Sequence, residues 1–438
     1  MKEILDQIKQ YVEQKQANKT WTAGKDFVNY AGPYFNADEF VSAAESLLGG
    51  WLVMGDKSLK FERAFPKYFG KENGILTNSG SSSNLLMMAS LTSKRGHNLP
   101  KGTKVLMPIA GFPTTLNPTL QLGFEPVFLD IELDTLNLDL TKAEDLIKQH
   151  NIRVITFAHV LGNPPNMDQL MELVNRYNMI LLEDCCDALG STYDSKPLGS
   201  FGEMASCSFY PAHHMTMGEG GYVACATYEQ EIILRSFREW GRGCYCVGPE
   251  ANKLKCGSCG KRFQEWIPTM PGEIFDHKYV YDEVGYNLKP IEIQSAMGLH
   301  QLEKLPEIHS LRRRNYKLLF DIYSKYEEFF HLPRAQAKSD PSWFAFPLTI
   351  KEGAPFTRSD IVDYLEDNLI QTRPYFAGNI MLQPAYSHIM NPQDAKDNFP
   401  VATFVMTHTY FHGTSPVITP EQIAYIGEKV DGFMSLFV

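Results

Sequence analysis

From about residue 71 to 227 the chain alternates short apolar runs with stretches of helical period. The runs GILTNS, KVLMPIA, EPVFLDI, RVITFAHV, MILLEDC, CSFYP and GYVACA are apolar nearly throughout and read as strands. Between them, SSSNLLMMASLTS and MDQLMELVNRYN place apolar residues at helical spacing. Continuously apolar strands alternating with helices predict an α/β fold with a mostly parallel sheet of seven strands, covered on both faces. Ligands of such sheets gather at the strands' C-terminal ends, so the tails of these runs are where chemistry is sought.

The same pattern divides the chain. Residues 1–48 read as a helical N-terminal segment and 49–290 as a large α/β domain. Within the latter, 242–278 is a Gly-, Cys- and charge-rich excursion without a period of its own. Residues 291–438 begin as a long helix, expected to break near Pro306, and continue as a smaller mixed domain. No apolar run approaches the roughly 20 residues of a membrane span. The opening MKEILDQIKQYVEQKQ reads as an amphipathic helix, not a signal peptide, so cytoplasmic residence is expected. The formal net charge of −10 argues against a general nucleic-acid binder.

Three strand tails carry candidate chemistry. TNSGSSSNLL places small residues and three hydroxyls where a helix begins, a geometry suited to an anion or to an ordinary serine cap. In LLEDCCDALG, Asp184 ends an apolar strand, where a buried carboxylate needs a cation or N–H donors. In SFYPAHHMTMGEGG, Ser208 is followed five residues later by His213, whose neutral imidazole can act as a general base.

These landmarks, with GGWLVMGDKSLKFERAFPKYFG, GFPTTLNPT and GYNLKPIEIQSAMGLHQLEKL, resemble a fold-type I pyridoxal phosphate (PLP) sugar aminotransferase over about residues 49–305. Aminotransferases hold PLP on a lysine; here PAHH puts His213 in that position. That exchange is similar to the CDP-4-keto-6-deoxyglucose 3-dehydrase branch, whose members use pyridoxamine phosphate (PMP) and a 2Fe-2S cluster. The resemblance implies that Asp184 pairs with the pyridine nitrogen and that Phe112 stacks on the ring. It implies that Gly80, Ser81, Ser82 and Ser208 hold the phosphate, and that Asn287 reaches it from the second subunit of a homodimer. Asp187 and Tyr210 would border the substrate beside the base, His213, and Arg373 is a candidate substrate contact. The implied reaction removes the C-3 hydroxyl of a nucleotide-linked 4-keto-6-deoxyhexose, with CDP as the expected nucleotide, for 3,6-dideoxyhexoses of lipopolysaccharide or a glycosylated metabolite. Electrons would come from a separate NADH-dependent iron–sulfur flavoprotein reductase.

Eight cysteines are present, and structural disulfides are not expected in a cytosolic chain. Cys244, Cys246, Cys256 and Cys259 form a C-x-C…C-x-x-C pattern that spacing alone reads as a zinc site. The resemblance instead implies cluster ligation by Cys186, Cys244, Cys246 and Cys259. Cys256 stays open as the fourth ligand, because the loop before Cys259 is longer than the family's. Cys207 and Cys225 read as core residues, and Cys185 should point away from Cys186. Two alternatives stand beside this reading: a cluster-free PMP dehydrase with a zinc-braced loop, and a non-catalytic scaffolding subunit.

Overall fold

The computed structural model describes residues 1–244, 246 and 254–437. Seven strands form one sheet: β1 (Asn73–Thr77), β2 (Lys104–Pro108), β3 (Glu125–Leu129), β4 (Val154–Ala158), β5 (Ile180–Asp184), β6 (Met204–Ser208) and β7 (Gly221–Cys225). Their order is β1-β7-β6-β5-β4-β2-β3. The pairs β2–β3, β2–β4, β4–β5 and β5–β6 are parallel, and β7 runs antiparallel to both its neighbours. Strands β5, β6 and β7 are buried along their whole length, as a sheet covered on both faces requires.

The CSFYP run is offset from the strand it was expected to form: β6 ends at Ser208, and the chain turns away beyond it. Phe209 is fully buried because it packs against Phe61 and Phe65, with ring centroids 5.5 and 5.2 Å apart. Its apolar character serves the core rather than the strand.

Helices α1 (Lys2–Ala17), α2 (Ala37–Gly49) and α3 (Asp56–Ala64) precede the sheet. Helices α4 (Gly80–Ser90), α5 (Pro113–Gln121), α6 (Ala143–His150), α7 (Met167–Arg176) and α8 (Tyr228–Arg238) connect or follow its strands. The long helix α9 (Glu292–Tyr323) corrects a second expectation, since it runs through Pro306 without a break. Proline removes one intrahelical hydrogen bond, but Leu302, Leu305 and Ile308 are buried on both sides of it, so packing holds the helix together. Among the described residues, none of these helices is long and apolar enough to cross a membrane.

Beyond α9, strands β8 (Phe330–His331), β9 (Ala345–Ile350), β10 (Arg373–Pro374) and β11 (Thr409–Gly413) form an antiparallel sheet in the order β8-β9-β11-β10. Its core includes Phe346, Leu348, Ile361, Tyr410 and Val430. Phe344, Tyr375 and Phe411 instead join the core cluster under the large sheet, so one wall of the cleft described below comes from this second unit. In the 242–278 excursion, the described residues form a two-residue hairpin, Phe263–Gln264 with Phe275–Asp276, tied by the Arg262–Asp276 ion pair. Its residues 245 and 247–253 lie outside the described set.

Candidate active site

A cleft of about 780 Å³ opens at the C-terminal ends of β5 and β6. It is lined by Gly80, Ser81, Phe112, Asp184, Cys186, Asp187, Ser208, Tyr210, His213 and Arg373, residues drawn from sequence-distant motifs. Its remaining wall is largely apolar and includes the aromatic rings of Tyr30, Phe344, Phe376, Tyr386 and Phe411.

The floor at one end is the start of α4. Ser79 caps the helix by accepting from Ser82 N–H at 3.1 Å, so Ser82 is committed to the cap and does not line the cleft. Gly80 sits against Ser208: a Cβ placed there would lie 2.5 Å from Ser208 Cβ. Glycine is therefore required for the helix start and the Ser208 hydroxyl to come together. A helix N-terminus with adjacent hydroxyls is a phosphate cradle.

Asp184 is 5% exposed at the end of β5. Its carboxylate accepts from Asn84 Nδ2 (2.7 Å), Thr115 Oγ1 (2.8 Å), Cys186 N–H (3.1 Å) and Ser206 Oγ (3.3 Å). All four donors are neutral, which leaves a buried negative charge facing the cleft without a countercharge among them. A protonated pyridine nitrogen supplies that charge, so the donor set fits the cofactor implied by the sequence. Asn84 and Thr115 were not singled out from sequence, although both lie in quoted motifs, TNSGSSSNLL and GFPTTLNPT.

His213 Nδ1 approaches Asp187 Oδ1 at 3.4 Å without a well-aligned hydrogen bond. Asp187 is otherwise fixed by Leu161 N–H at 3.3 Å. Phe344 packs on the His213 ring at 5.3 Å and Tyr210 lies 6.4 Å away. His214 is different in kind: it is buried and donates from Nε2 to the Ser342 carbonyl at 2.7 Å. Burial and then the Arg312 charge hold its pKa well below the ordinary value, so it is a neutral structural histidine. Of the pair, His213 is the one that faces the cleft.

Phe112 is half exposed at the cleft mouth, and the Arg373 guanidinium lies 4.3 Å over the Tyr30 ring. Asn287 is exposed and lies away from its own chain's cleft, bridged to Glu239. The cysteines divide. Cys186 lines the cleft, whereas Cys244 and Cys246 line a second cavity of about 270 Å³ together with Arg235, Arg238, Arg242 and Lys289. Cys259 hydrogen-bonds Cys246, while Cys256 is exposed. Burial alone would raise the Cys246 thiol, but hydrogen bonds from Ser258 and Cys259 bring it down to about 7. Within the described residues of one chain, the four implied cluster ligands do not form a single set: three gather in the excursion and Cys186 stays in the cleft. Cys185, Cys207 and Cys225 are fully buried in the core.

Residues 33–431 match the profile of the DegT/DnrJ/EryC1/StrS aminotransferase family. The chain is 38% identical over 436 residues to the lipopolysaccharide biosynthesis protein RfbH of Salmonella typhimurium, covering 99% of this chain and 98% of that protein. It is 39% identical over 435 residues to dTDP-4-dehydro-2,6-dideoxy-D-glucose 3-dehydratase of Saccharopolyspora spinosa, covering 99% and 92%. In structure it is similar to E. coli GDP-4-keto-6-deoxy-D-mannose-3-dehydratase with bound hydrated PLP. The TM-score is 0.78 at 27% identity, over 92% of this chain and 99% of that one.

The Gly80–Ser208 approach yields a direct test. Gly80→Ala is expected to weaken PLP binding by about tenfold or more, the cost of misplacing a cradle by a fraction of an ångström, with little loss of thermal stability. Fluorescence titration with PLP beside a thermal melt measures both.

Proposed function

The chain belongs to the DegT/DnrJ/EryC1/StrS aminotransferase family, a family of PLP-dependent sugar enzymes, and on that premise we propose that it is a nucleotide-sugar 3-dehydratase. Its substrate is a nucleotide-linked 4-keto-6-deoxyhexose, and its product lacks the C-3 hydroxyl. The observation that carries this reading is His213 facing the cleft where the family's aminotransferases need lysine, with the Asp184 and Gly80–Ser208 cradle intact around it.

The cofactor in its amine form supplies a nucleophilic nitrogen for the keto group and a ring that accepts electrons. Asp184 keeps the ring nitrogen protonated, which strengthens that electron demand. Gly80, Ser81 and Ser208 hold the phosphate, and Phe112 covers one ring face. His213 takes the proton at the cofactor's C-4′, with Asp187 Oδ1 standing 3.4 Å from its Nδ1. Tyr210 borders the substrate next to it. The aromatic wall excludes water from the sugar, and Arg373 at the cleft edge offers a cation to the nucleotide's phosphates. Asn287 serves the cradle of a partner subunit in a homodimer, a role supported by its exposure outside its own cleft.

The overall deoxygenation consumes two electrons, and two sources are open to this architecture. In the first reading a 2Fe-2S centre on Cys186, Cys244, Cys246 and Cys259 receives them from an NADH-dependent iron–sulfur flavoprotein reductase, with CDP as the nucleotide; the resemblance to the iron–sulfur 3-dehydrase branch supports it. In the second, the cofactor's own amine is given up by hydrolysis and no cluster takes part. The separation of Cys186 from the other three thiols favours this alternative, with a metal such as zinc bracing the excursion.

Two results decide these points. His213→Lys is expected to bind PLP covalently, read as borohydride-trapped mass on the chain, while wild type gains none; failure of the lysine to trap PLP would remove His213 from the cofactor's C-4′. About two irons and two sulfides per chain in anaerobically purified protein, with fastest turnover of the CDP-linked sugar in a panel of CDP, dTDP and GDP substrates, would establish the first reading. Zinc without sulfide would establish the second.

A further inference from the structure

Arg312, on α9, is fully buried behind the base, and beyond its charge acting on His214 it takes part in none of the roles assigned above. One of its amino groups, Nη2, donates to the carbonyls of Ala212 (3.1 Å) and His213 (2.9 Å). The other, Nη1, donates to those of Phe344 (3.1 Å) and Trp343 (3.5 Å). The same Phe344 places its ring 5.8 Å from the guanidinium and 5.3 Å from the His213 imidazole.

No carboxylate ion-pairs with Arg312 among the described residues. Burial drives its pKa down to about 9, and Asp187, the acid that flanks His213, is the group opposing that fall. A buried guanidinium without a contacting anion is expensive, and neutral donors could tie two carbonyl pairs together at lower cost. The placement of the charge therefore has a use. It lies where the base-bearing turn, the entry to β9 and the field of Asp187 meet.

We propose that Arg312 is a positioning residue for the base: its planar fork fixes the turn carrying His213 against Trp343 and Phe344. A guanidinium suits this task because its donors are coplanar and diverge, so one group can span two backbone segments. The inference rests on the reading of His213 as the base, but it concerns where that residue is held.

The test compares Arg312→Met and Arg312→Lys with wild type in the PMP-loaded protein. Arg312→Met is expected to bind PMP within about threefold of wild type, because Asp184 and the phosphate cradle are untouched. Its kcat with a nucleotide-linked 4-keto-6-deoxyhexose is expected to fall about 100-fold, the scale of an ångström-level misplacement, with KM changed less than about threefold. Arg312→Lys keeps the charge and reaches part of the carbonyl set, so it should recover about tenfold of that loss. Crystal structures of the variants should show the His213 ring displaced from Asp187 by about 1 Å. Wild-type kcat in either soluble variant, or an unmoved His213 turn, overturns the proposal. So does loss of kcat, KM and PMP affinity together in Arg312→Lys, which marks a purely structural residue. Should Arg312→Met not fold, Arg312→Lys decides by the same criteria. If His213→Asn is as active as wild type, the assignment of the base fails, and the crystallographic comparison still judges what Arg312 holds in place.

Discussion

A buried carboxylate whose hydrogen-bond donors among the described residues are all neutral organises this molecule's cleft. Asp184 sits at the end of a strand buried along its whole length, and its hydrogen bonds come from an amide, two hydroxyls and a backbone N–H. Those donors fix its direction without neutralising it, so a cation arriving in the cleft gains an electrostatic partner in a poorly screened place. Much else follows from that placement. Helix α4 must bring Asn84 to it and α5 must bring Thr115, and the same two helices present Gly80 and Phe112 at the cleft. One constraint thus brings a helix N-terminus, an aromatic ring and a buried carboxylate to the same cleft.

The adjacent histidines show how neighbouring residues of one type come to have separate duties. His214 points into the core, bonds a carbonyl and is held neutral by burial and Arg312. His213 faces the cleft with Nδ1 unsatisfied beside Asp187. Lysine in place of His213 would form a covalent link to a carbonyl cofactor; imidazole can only accept and return protons. In the proposed function, that difference separates hydroxyl removal from amine transfer.

Much of this was readable in the sequence, for identifiable reasons. Strands buried along most of their length read as short apolar runs, so all seven stood out from their helical surroundings, the partly exposed edge strand β3 included. Because α/β sheets collect their loops at one end, Gly80, Asp184, Ser208 and His213 could be sought there before their distances were known. The misreadings also have causes. Phe209 extended an apolar run past the end of β6 because it belongs to the Phe61–Phe65 cluster. Pro306 suggested a break that packing overrides. Asn84 and Thr115 lie 100 and 69 residues from the carboxylate they hold, and Arg312 lies 99 residues from the carbonyl it binds at His213. No local pattern marks such partners. The cysteine pattern could not reveal that Cys186 lines one cavity and Cys244 and Cys246 another, because linear spacing carries no information about which wall of the fold each residue faces.

The central claim, that His213 removes a proton at the cofactor's C-4′ to drive loss of the sugar's C-3 hydroxyl, is tested most directly with PMP tritiated stereospecifically at C-4′. Wild-type protein given a nucleotide-linked 4-keto-6-deoxyhexose should release tritium to water from one of the two C-4′ positions only, and His213→Asn should release about 100-fold less. Retention of tritium by the wild type, or equal release by the asparagine variant, would contradict the account.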